Sequence, residues 1–169
     1  MNIALRLSCW LGVALLSACS PADAPLPAAN ASVIEAAASP VPSRLAPLIT
    51  VHKSPSCGCC HVWVERMEAA GFRVKVHDRD DLDAVKQSLG VPPRMASCHT
   101  AEVEGYVLEG HVPAEDIQRL LTQKPDVRGL AVPGMPRGSP GMEMPDGTRD
   151  AYSVIAIGRD GLLSEYARH

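Results

Sequence analysis

This sequence of 169 residues has few aromatic side chains and no concentration of charge of one sign. Aromatic residues make up 4% of it, and 16 basic side chains face 19 acidic ones. No basic run or aromatic platform of the kind that binds nucleic acid is present. The chain also has no internal repeat, phosphate-binding loop, Ser-His-Asp arrangement or catalytic pair of carboxylates, and these absences argue against the corresponding enzyme classes.

The apolar stretch at residues 7–16 is too short to span a bilayer as a helix. It follows the single positive charge of Arg6, an arrangement typical of a signal peptide. We therefore predict that residues 1–18 are a signal peptide. Cleavage would remove Cys9 with it.

The cleavage region, Leu16-Ser17-Ala18-Cys19, is similar to the bacterial lipobox, in which the cysteine becomes a lipid-modified N-terminus. We predict lipidation of Cys19 and a membrane association through this anchor alone. Because Ser20 follows it rather than Asp, the outer membrane is favoured for a periplasmic lipoprotein. The alternative is an ordinary cleavable signal peptide with a chance cysteine.

Beyond the anchor, the chain is rich in Ala, Pro and Ser and has hardly any large apolar residue up to position 46. Such a composition buries too little surface to offset the entropy of ordering, so residues 19–47 are predicted to be a lipidated, disordered tether. The remaining length suits one folded domain, which we expect to be a monomer. We divide it into a core, 48–123, and a C-terminal extension, 124–169.

Hydrophobic periodicity predicts an α/β domain with the order β-α-β-α-β-β-α. This order is that of a thioredoxin-like fold. The extension is predicted to hold a Met-rich loop, residues 133–145, and then a β-hairpin that turns at Arg159-Asp160-Gly161. The predicted elements of the core are strands near 48–52, 72–76, 101–104 and 106–109, and helices near 58–70, 82–89 and from 113.

The stretch 54–62 carries three cysteines at the start of the first predicted helix. Cys57 and Cys60 have the C-x-x-C spacing of a redox or metal-binding pair, and Cys59 adds a third sulfur that a simple dithiol oxidoreductase does not need. Because helix positions differ by about 100° per residue, the three sulfurs share one centre only if the first turn is frayed, which Gly58 permits.

In a thioredoxin-like fold, the loop before the third strand packs against the first-helix loop, so Cys98 should approach the three helix-start sulfurs. Four thiolates suit Cu(I), Zn(II) or an iron–sulfur cluster, and spacing alone does not choose among them. Thioethers at Met135 and Met142 favour Cu(I), as does export. Sulfur can bridge several Cu(I) ions. His99 is a further candidate ligand, whereas His61 is expected to face solvent and His111 to bind either a backbone carbonyl or a metal.

Several motifs resemble one family. They are Cys57-Gly58-Cys59-Cys60, Ser97-Cys98-His99-Thr100, Glu109-Gly110-His111-Val112-Pro113, Gly134-Met135-Pro136 and Gly138-Ser139-Pro140-Gly141-Met142-Glu143. In this order they are similar to the CopG-like periplasmic copper-resistance proteins, formerly a domain of unknown function. The resemblance implies a thioredoxin-like domain with a C-terminal extension, cysteine-bridged copper ions beside the C-x-C-C motif, and interconversion of Cu(I) and Cu(II).

We therefore predict a copper-binding protein of copper resistance, with copper as the bound metal and Cys57, Cys59, Cys60 and Cys98 as ligands. Its partners would be copper ions and copper-efflux or other periplasmic copper proteins. The alternatives are a thiol–disulfide oxidoreductase with Cys57 attacking and Cys60 resolving, and a Cu(I) chaperone without redox activity. Two structural disulfides are a further alternative. Whether the protein is an enzyme stays open at this point.

Overall fold

The structure, a computed structural model, describes residues 46–169. The predicted signal peptide, the lipid site at Cys19 and nearly all of the predicted tether lie outside the described residues. Over the described part, no helix is long and apolar enough to cross a membrane.

Residues 46–169 contain seven strands and three α-helices, which confirm the predicted α/β class and the element order of the core. A 3₁₀ turn, Pro93–Met95, lies between α2 and β3. The elements are β1 Leu48–Lys53, α1 Gly58–Ala69, β2 Arg73–Asp78, α2 Leu82–Ser88, β3 His99–Val103, β4 Tyr106–Glu109, α3 Ala114–Gln123, β5 Val127–Ala131, β6 Ser153–Gly158 and β7 Leu163–Arg168.

All seven strands form one sheet in the order β2-β1-β3-β4-β5-β6-β7. The pairs β1–β2 and β4–β5 are parallel, and the other neighbours are antiparallel. Lys53, the last residue of β1, is paired with His99, the first residue of β3. The segment that follows β1 and the segment that precedes β3 therefore leave the sheet at the same end.

Helix α1 packs on the sheet through four buried side chains, Cys60, Trp63, Val64 and Met67, which is the face that the sequence predicts. They recur at positions three and four apart, the spacing of one helix face. The Trp63 indole N–H donates a hydrogen bond to the carbonyl of Val112 at 3.0 Å, so this large side chain is buried with its polar atom satisfied. The second turn of α1 is thereby held against the loop that follows β4.

The predicted C-terminal hairpin is present as β6 and β7. Strand β5, which we did not predict, joins it to the core by pairing with both β4 and β6. Sequence periodicity missed β5 because it has only five residues, and Arg128 and Gly129 interrupt its apolar pattern. The hairpin thus extends the central sheet.

The Met-rich loop lies between β5 and β6 and is fastened by ion pairs. Arg137 and Asp150 join its beginning to the segment that precedes β6, at 2.7 Å. Glu143 accepts from Arg66 of α1 at 2.9 Å and from the backbone N–H of Gly141 at 3.0 Å. These bonds hold the middle of the loop on the first helix.

Gly141 is a point where the Met-rich loop lies close against the backbone of α1. A Cβ atom there would lie 2.7 Å from the Cys59 carbonyl oxygen and 2.9 Å from the Trp63 nitrogen, and the backbone has a φ of +85°. Gly141→Ala should therefore add a collision to the left-handed backbone cost of about 1–2 kcal/mol. We expect chemical denaturation to show a clear loss of stability and alkylation of Cys59 to become faster.

Gly147→Ala is the matched control, because Gly147 has a φ of +75° and nothing within 4 Å of an added Cβ. It carries the backbone cost without the collision. Gly141→Ala should exceed it by roughly 1 kcal/mol or more, a typical cost of forcing an extra carbon into a packed site. Equal losses in the two variants would contradict close packing of the loop on α1.

Candidate metal centre

The three helix-start cysteines share one centre because Cys57 precedes the helix rather than belonging to its first turn. Cys57 is the N-cap of α1, with an extended backbone at φ −77° and ψ 97°. Gly58 is the first helical residue, so the fraying that we expected is replaced by this change of direction at Cys57. The Sγ atoms of Cys57 and Cys59 are 3.6 Å apart, while Cys60 is fully buried on the core face of the helix.

Cys98 joins this group from the segment that precedes β3, next to the end of β1. It directly precedes β3, and the Cys60 sulfur lies 3.7 Å from its carbonyl oxygen. The Sγ atoms of Cys57, Cys59, Cys60 and Cys98 all lie within 4.8 Å of one another. The structure therefore brings together the four predicted sulfur ligands. Their role in binding a metal stays a prediction.

Two of the four sulfurs are oxidised. Cys57 and Cys60 form a disulfide, and Cys59 and Cys98 are free thiols. This is the C-x-x-C pair of the oxidoreductase alternative. The alternative with two structural disulfides differs from the structure, which has this single bridge over residues 46–169.

His111, for which the sequence left a backbone carbonyl and a metal as alternatives, contacts the Cys98 sulfur. Its Nδ1 lies 2.7 Å from the carbonyl oxygen of Pro140 and its Nε2 lies 3.0 Å from the Cys98 Sγ. A carbonyl oxygen only accepts, so Nδ1 carries the proton and Nε2 keeps its lone pair on the cysteine side. The histidine thus binds a backbone carbonyl and still offers a ligand atom.

His99 also contacts the Cys98 thiol, and its ring meets the His111 ring edge-on at a centroid distance of 5.2 Å. Its Nδ1 is 3.4 Å from the Cys98 Sγ, and its ring packs on the Trp63 indole at a centroid distance of 4.5 Å. The side chain is fully buried, and its Nε2 has no hydrogen-bond partner. Ligand atoms of Cys98, His99 and His111 lie within 4.8 Å of one another. Cys98 therefore belongs to two sets of potential ligands, one of four sulfurs and one of a sulfur and two imidazoles.

Burial and neighbouring groups keep these side chains neutral in the absence of a metal. Burial raises the pKa of Cys98 to about 12, and the nearby Cys59 adds to the rise. Burial lowers the pKa of His99 well below its usual range, with smaller effects of His111 and Lys86 in the same direction. Burial also lowers the pKa of His111. Neutral imidazole is the form that binds metals.

Lys86 and Glu109 form a buried ion pair next to the segment that carries Cys98 and His99. Glu109 of β4 accepts hydrogen bonds from the Lys86 ammonium at 2.6 Å, from the backbone N–H of Ser97 at 2.6 Å and from the Thr100 hydroxyl at 2.7 Å. Its side chain has no exposed surface, and burial raises its pKa although Lys86 opposes the rise. Glu109 thus holds the residues on both sides of the Cys98–His99 dipeptide.

The other predicted site residues lie at different distances from the cluster. Met142 is half-buried beside Gly141, and Met135 is 52% exposed next to Gly134, whose carbonyl accepts from the Ser97 hydroxyl. The loop that carries both methionines therefore borders the site through its backbone. His61 is exposed as expected, and its ring faces Glu65 one turn along α1.

Comparison with known proteins agrees with the resemblance. Residues 95–142, from Met95 to the middle of the Met-rich loop, match a family model described as "Protein of unknown function, DUF411". Among curated proteins nothing matches.

Two solved structures of a copper resistance protein CopG are similar to this chain. Form 2 is 48% identical with a TM-score of 0.70, and the match covers 73% of this chain and 98% of that one. Form 1 is 50% identical with a TM-score of 0.68, and the match covers 72% and 96% of the two chains. Nearly the whole of each relative is matched, at 48% and 50% identity. This protein therefore belongs to the CopG-like copper-resistance family.

Proposed function

We propose that this protein binds copper at the cysteine cluster and converts it between Cu(I) and Cu(II) as part of copper resistance. The observation that carries the proposal is the convergence of four cysteine sulfurs within 4.8 Å of one another. Thiolate is a soft ligand that selects Cu(I), Zn(II) or iron–sulfur clusters, and the two relatives are named as copper resistance proteins. Copper is the metal that suits both facts.

The proposal of two oxidation states rests on the two ligand sets that share Cys98. The four-sulfur set suits Cu(I), whereas imidazole nitrogen, which His99 and His111 offer, also suits Cu(II). Because Cys98 belongs to both sets, its thiolate is able to bridge two copper ions. We propose a multinuclear site for this reason, with thioethers of Met135 and Met142 as additional ligands from the bordering loop.

The atom that His99 presents to the cluster is its Nδ1, 3.4 Å from the Cys98 Sγ. Burial lowers the pKa of this ring well below its usual range and so keeps it in the neutral form that binds metals. The tautomer of His111, set by the Pro140 carbonyl, is also the one in which Nε2 binds a metal.

The remaining parts of the proposal concern fold, location and partners. A thioredoxin-like core over residues 48–123 is supported by the strand order β2-β1-β3-β4 with β1 and β2 parallel. Export to the periplasm, with a lipid anchor at Cys19 in the outer membrane, is supported by the sequence of residues 1–20. We propose that the protein acts as a monomer and exchanges copper with efflux or other periplasmic copper proteins.

The test is the metal content of the protein purified without oxygen and with all cysteines reduced. We expect more than one copper per chain after addition of Cu(I), with loss of the free thiols to alkylation. Zinc should compete poorly. A chain that stays metal-free under these conditions would contradict the proposal.

The disulfide between Cys57 and Cys60 supports a second candidate, a thiol–disulfide oxidoreductase. This activity would appear as reduction of insulin disulfides by metal-free protein. A Cu(I) chaperone without redox activity is distinguished by copper that moves to an acceptor without a change in oxidation state.

His111→Ala tests the shared ligand set. We expect copper loading to fall and the affinity of the remaining copper to drop by about 10–100-fold, since even the outer partners of metal ligands have effects of this size. Competition with a chromophoric Cu(I) chelator measures both. His61→Ala is the control: it removes an imidazole adjacent in sequence to Cys60 but facing Glu65 and solvent. If both variants bind copper as the unchanged protein does, His111 is not a ligand.

A further inference from the structure

The oxidised state of the cluster separates its four cysteines into two pairs. Cys57 and Cys60 are joined by a disulfide, whereas Cys59 and Cys98 keep free thiols. The two pairs occupy the same small volume, with all four sulfurs within 4.8 Å of one another. A dithiol–disulfide pair, which gives up two electrons when it is oxidised, therefore lies beside two thiols that are able to bind a metal.

We propose that Cys57 and Cys60 are the reductant of Cu(II), and that Cys59 and Cys98 hold the Cu(I) that results. This inference rests on the proposed function and adds the source of the electrons. In the step, two S–H bonds break, the Cys57–Cys60 S–S bond forms, two electrons pass to two Cu(II) ions and two protons leave to solvent. Two Cu(I) ions are produced, which matches the two-electron character of a dithiol.

The geometry assigns the two roles to these particular cysteines. Cys59 and Cys60 are adjacent in the chain, and a disulfide between them would require distorted geometry. Cys57 has the extended N-cap backbone that places its sulfur over the first turn of α1, where Cys60 lies three positions on. Of the two CxCC pairings that remain, the one with Cys60 is formed.

Cys98 is kept as a ligand by its contacts with two histidines. Its sulfur lies 3.0 Å from the Nε2 of His111 and 3.4 Å from the Nδ1 of His99. After Cys57 and Cys60 have been oxidised, one sulfur of Cys59, one of Cys98 and two imidazoles remain. Cu(I) accepts such soft and intermediate ligands. The copper therefore has a site in the state that its own reduction creates.

A single-turnover experiment tests the step. The full chain would carry Cys9→Ser and Cys19→Ser in every variant, so that only the four cluster thiols react. After reduction, removal of the reductant and exclusion of oxygen, two equivalents of Cu(II) sulfate are added. A Cu(I)-specific chromophoric chelator then reports Cu(I), and alkylation followed by peptide mass spectrometry reports each thiol.

We expect about two Cu(I) per chain, a disulfide between Cys57 and Cys60, and alkylation of Cys59 and Cys98 after the chelator has removed the copper, in keeping with a two-electron couple. A disulfide that includes Cys59 or Cys98 as the main product would overturn the proposal. So would Cu(II) that stays unreduced.

Two double variants compare the pairs directly. Cys57→Ser with Cys60→Ser should lose most Cu(I) formation over the time in which the parent completes it, and should lose less of its binding of added Cu(I) than the other double variant. Cys59→Ser with Cys98→Ser should lose less of the Cu(II) reduction, and should release the Cu(I) that it forms on gel filtration. Equal reduction by both double variants would refute the division of roles.

The outcome separates this inference from the proposed function. If the parent binds Cu(I) but leaves Cu(II) unreduced, the dithiol step is wrong while copper binding stands. If it binds neither ion, the proposed function fails as well. Glutathione at the same thiol concentration is the control, because it shows how much Cu(I) ordinary thiols form from Cu(II) over the same time.

Discussion

Cys98→Ser should remove more copper from this protein than any other single cysteine replacement. Cys98 is a member of both ligand sets, so its loss affects the four-sulfur set and the set with His99 and His111 together. The loss in affinity for Cu(I) should be at least the 10–100-fold typical of weaker, indirect changes at metal sites. Equilibrium dialysis with metal analysis gives the stoichiometry, and chelator competition gives the affinity.

Two variants make the result specific. Cys60→Ser removes a sulfur from the first set only, so its effect on copper loading should be no larger than that of Cys98→Ser. Ser56→Ala changes an exposed hydroxyl next to the cluster, which bonds only with Ser54, and should leave copper loading unchanged. Full loading in Cys98→Ser would show that the two segments do not share a metal.

Lys86→Met should strongly destabilise the protein. The Lys86 ammonium contacts Glu109 at 2.6 Å, and the carboxylate has no exposed surface. Without the lysine, a buried negative charge loses its partner, which typically costs about 3–5 kcal/mol. Urea denaturation should show the loss. Because Glu109 also binds the backbone of Ser97 and the hydroxyl of Thr100, copper affinity should fall with it.

Lys53→Met is the matched control for this prediction. The two lysines are buried to nearly the same extent, at 6% and 7% exposure, but Lys53 pairs with Asp78, whose side chain is 58% exposed. Water solvates Asp78 when its partner is lost, so the cost should be about 0–1 kcal/mol, as for surface ion pairs. The double variant Lys86→Met with Glu109→Gln should recover part of the lost stability. Equal costs for both lysines would contradict the role of the buried charge.

The elements of the core follow from local pattern in the sequence. The spacing of Cys60, Trp63 and Met67 predicts the buried face of α1, and the structure has these side chains in the core. Short alternating stretches predict β3, β4 and the C-terminal hairpin for the same reason. Strand β5 escaped prediction because its signal lies in its pairing with β4 and β6 rather than in its own five residues.

The candidate site was predictable only in part. The C-x-C-C segment is visible as three sulfurs within four positions. Cys98 was predicted from the loop before the third strand, which packs against the first-helix loop in a thioredoxin-like fold. His111 stayed ambiguous because a single histidine after a glycine carries no pattern. Its contact with Pro140 needs the Met-rich loop in place, and its contact with Cys98 needs β3 and β4 to be paired. The buried pair of Lys86 and Glu109 carries no sequence signal either, since charged side chains are normally predicted to be exposed.

By itself the sequence determined the secondary structure of the core, the kind of ligand atoms available and the softness of the metal they suit, because these are properties of side chains and of their local spacing. Tertiary structure alone decided that residues 38 positions apart, Cys60 and Cys98, meet at one end of the sheet. The physical reason is the antiparallel pairing of β1 with β3, which directs the segment after Lys53 and the segment before His99 to the same place. It also decided which two cysteines are joined and which imidazoles contact the remaining sulfur, since both depend on distances that no local pattern encodes.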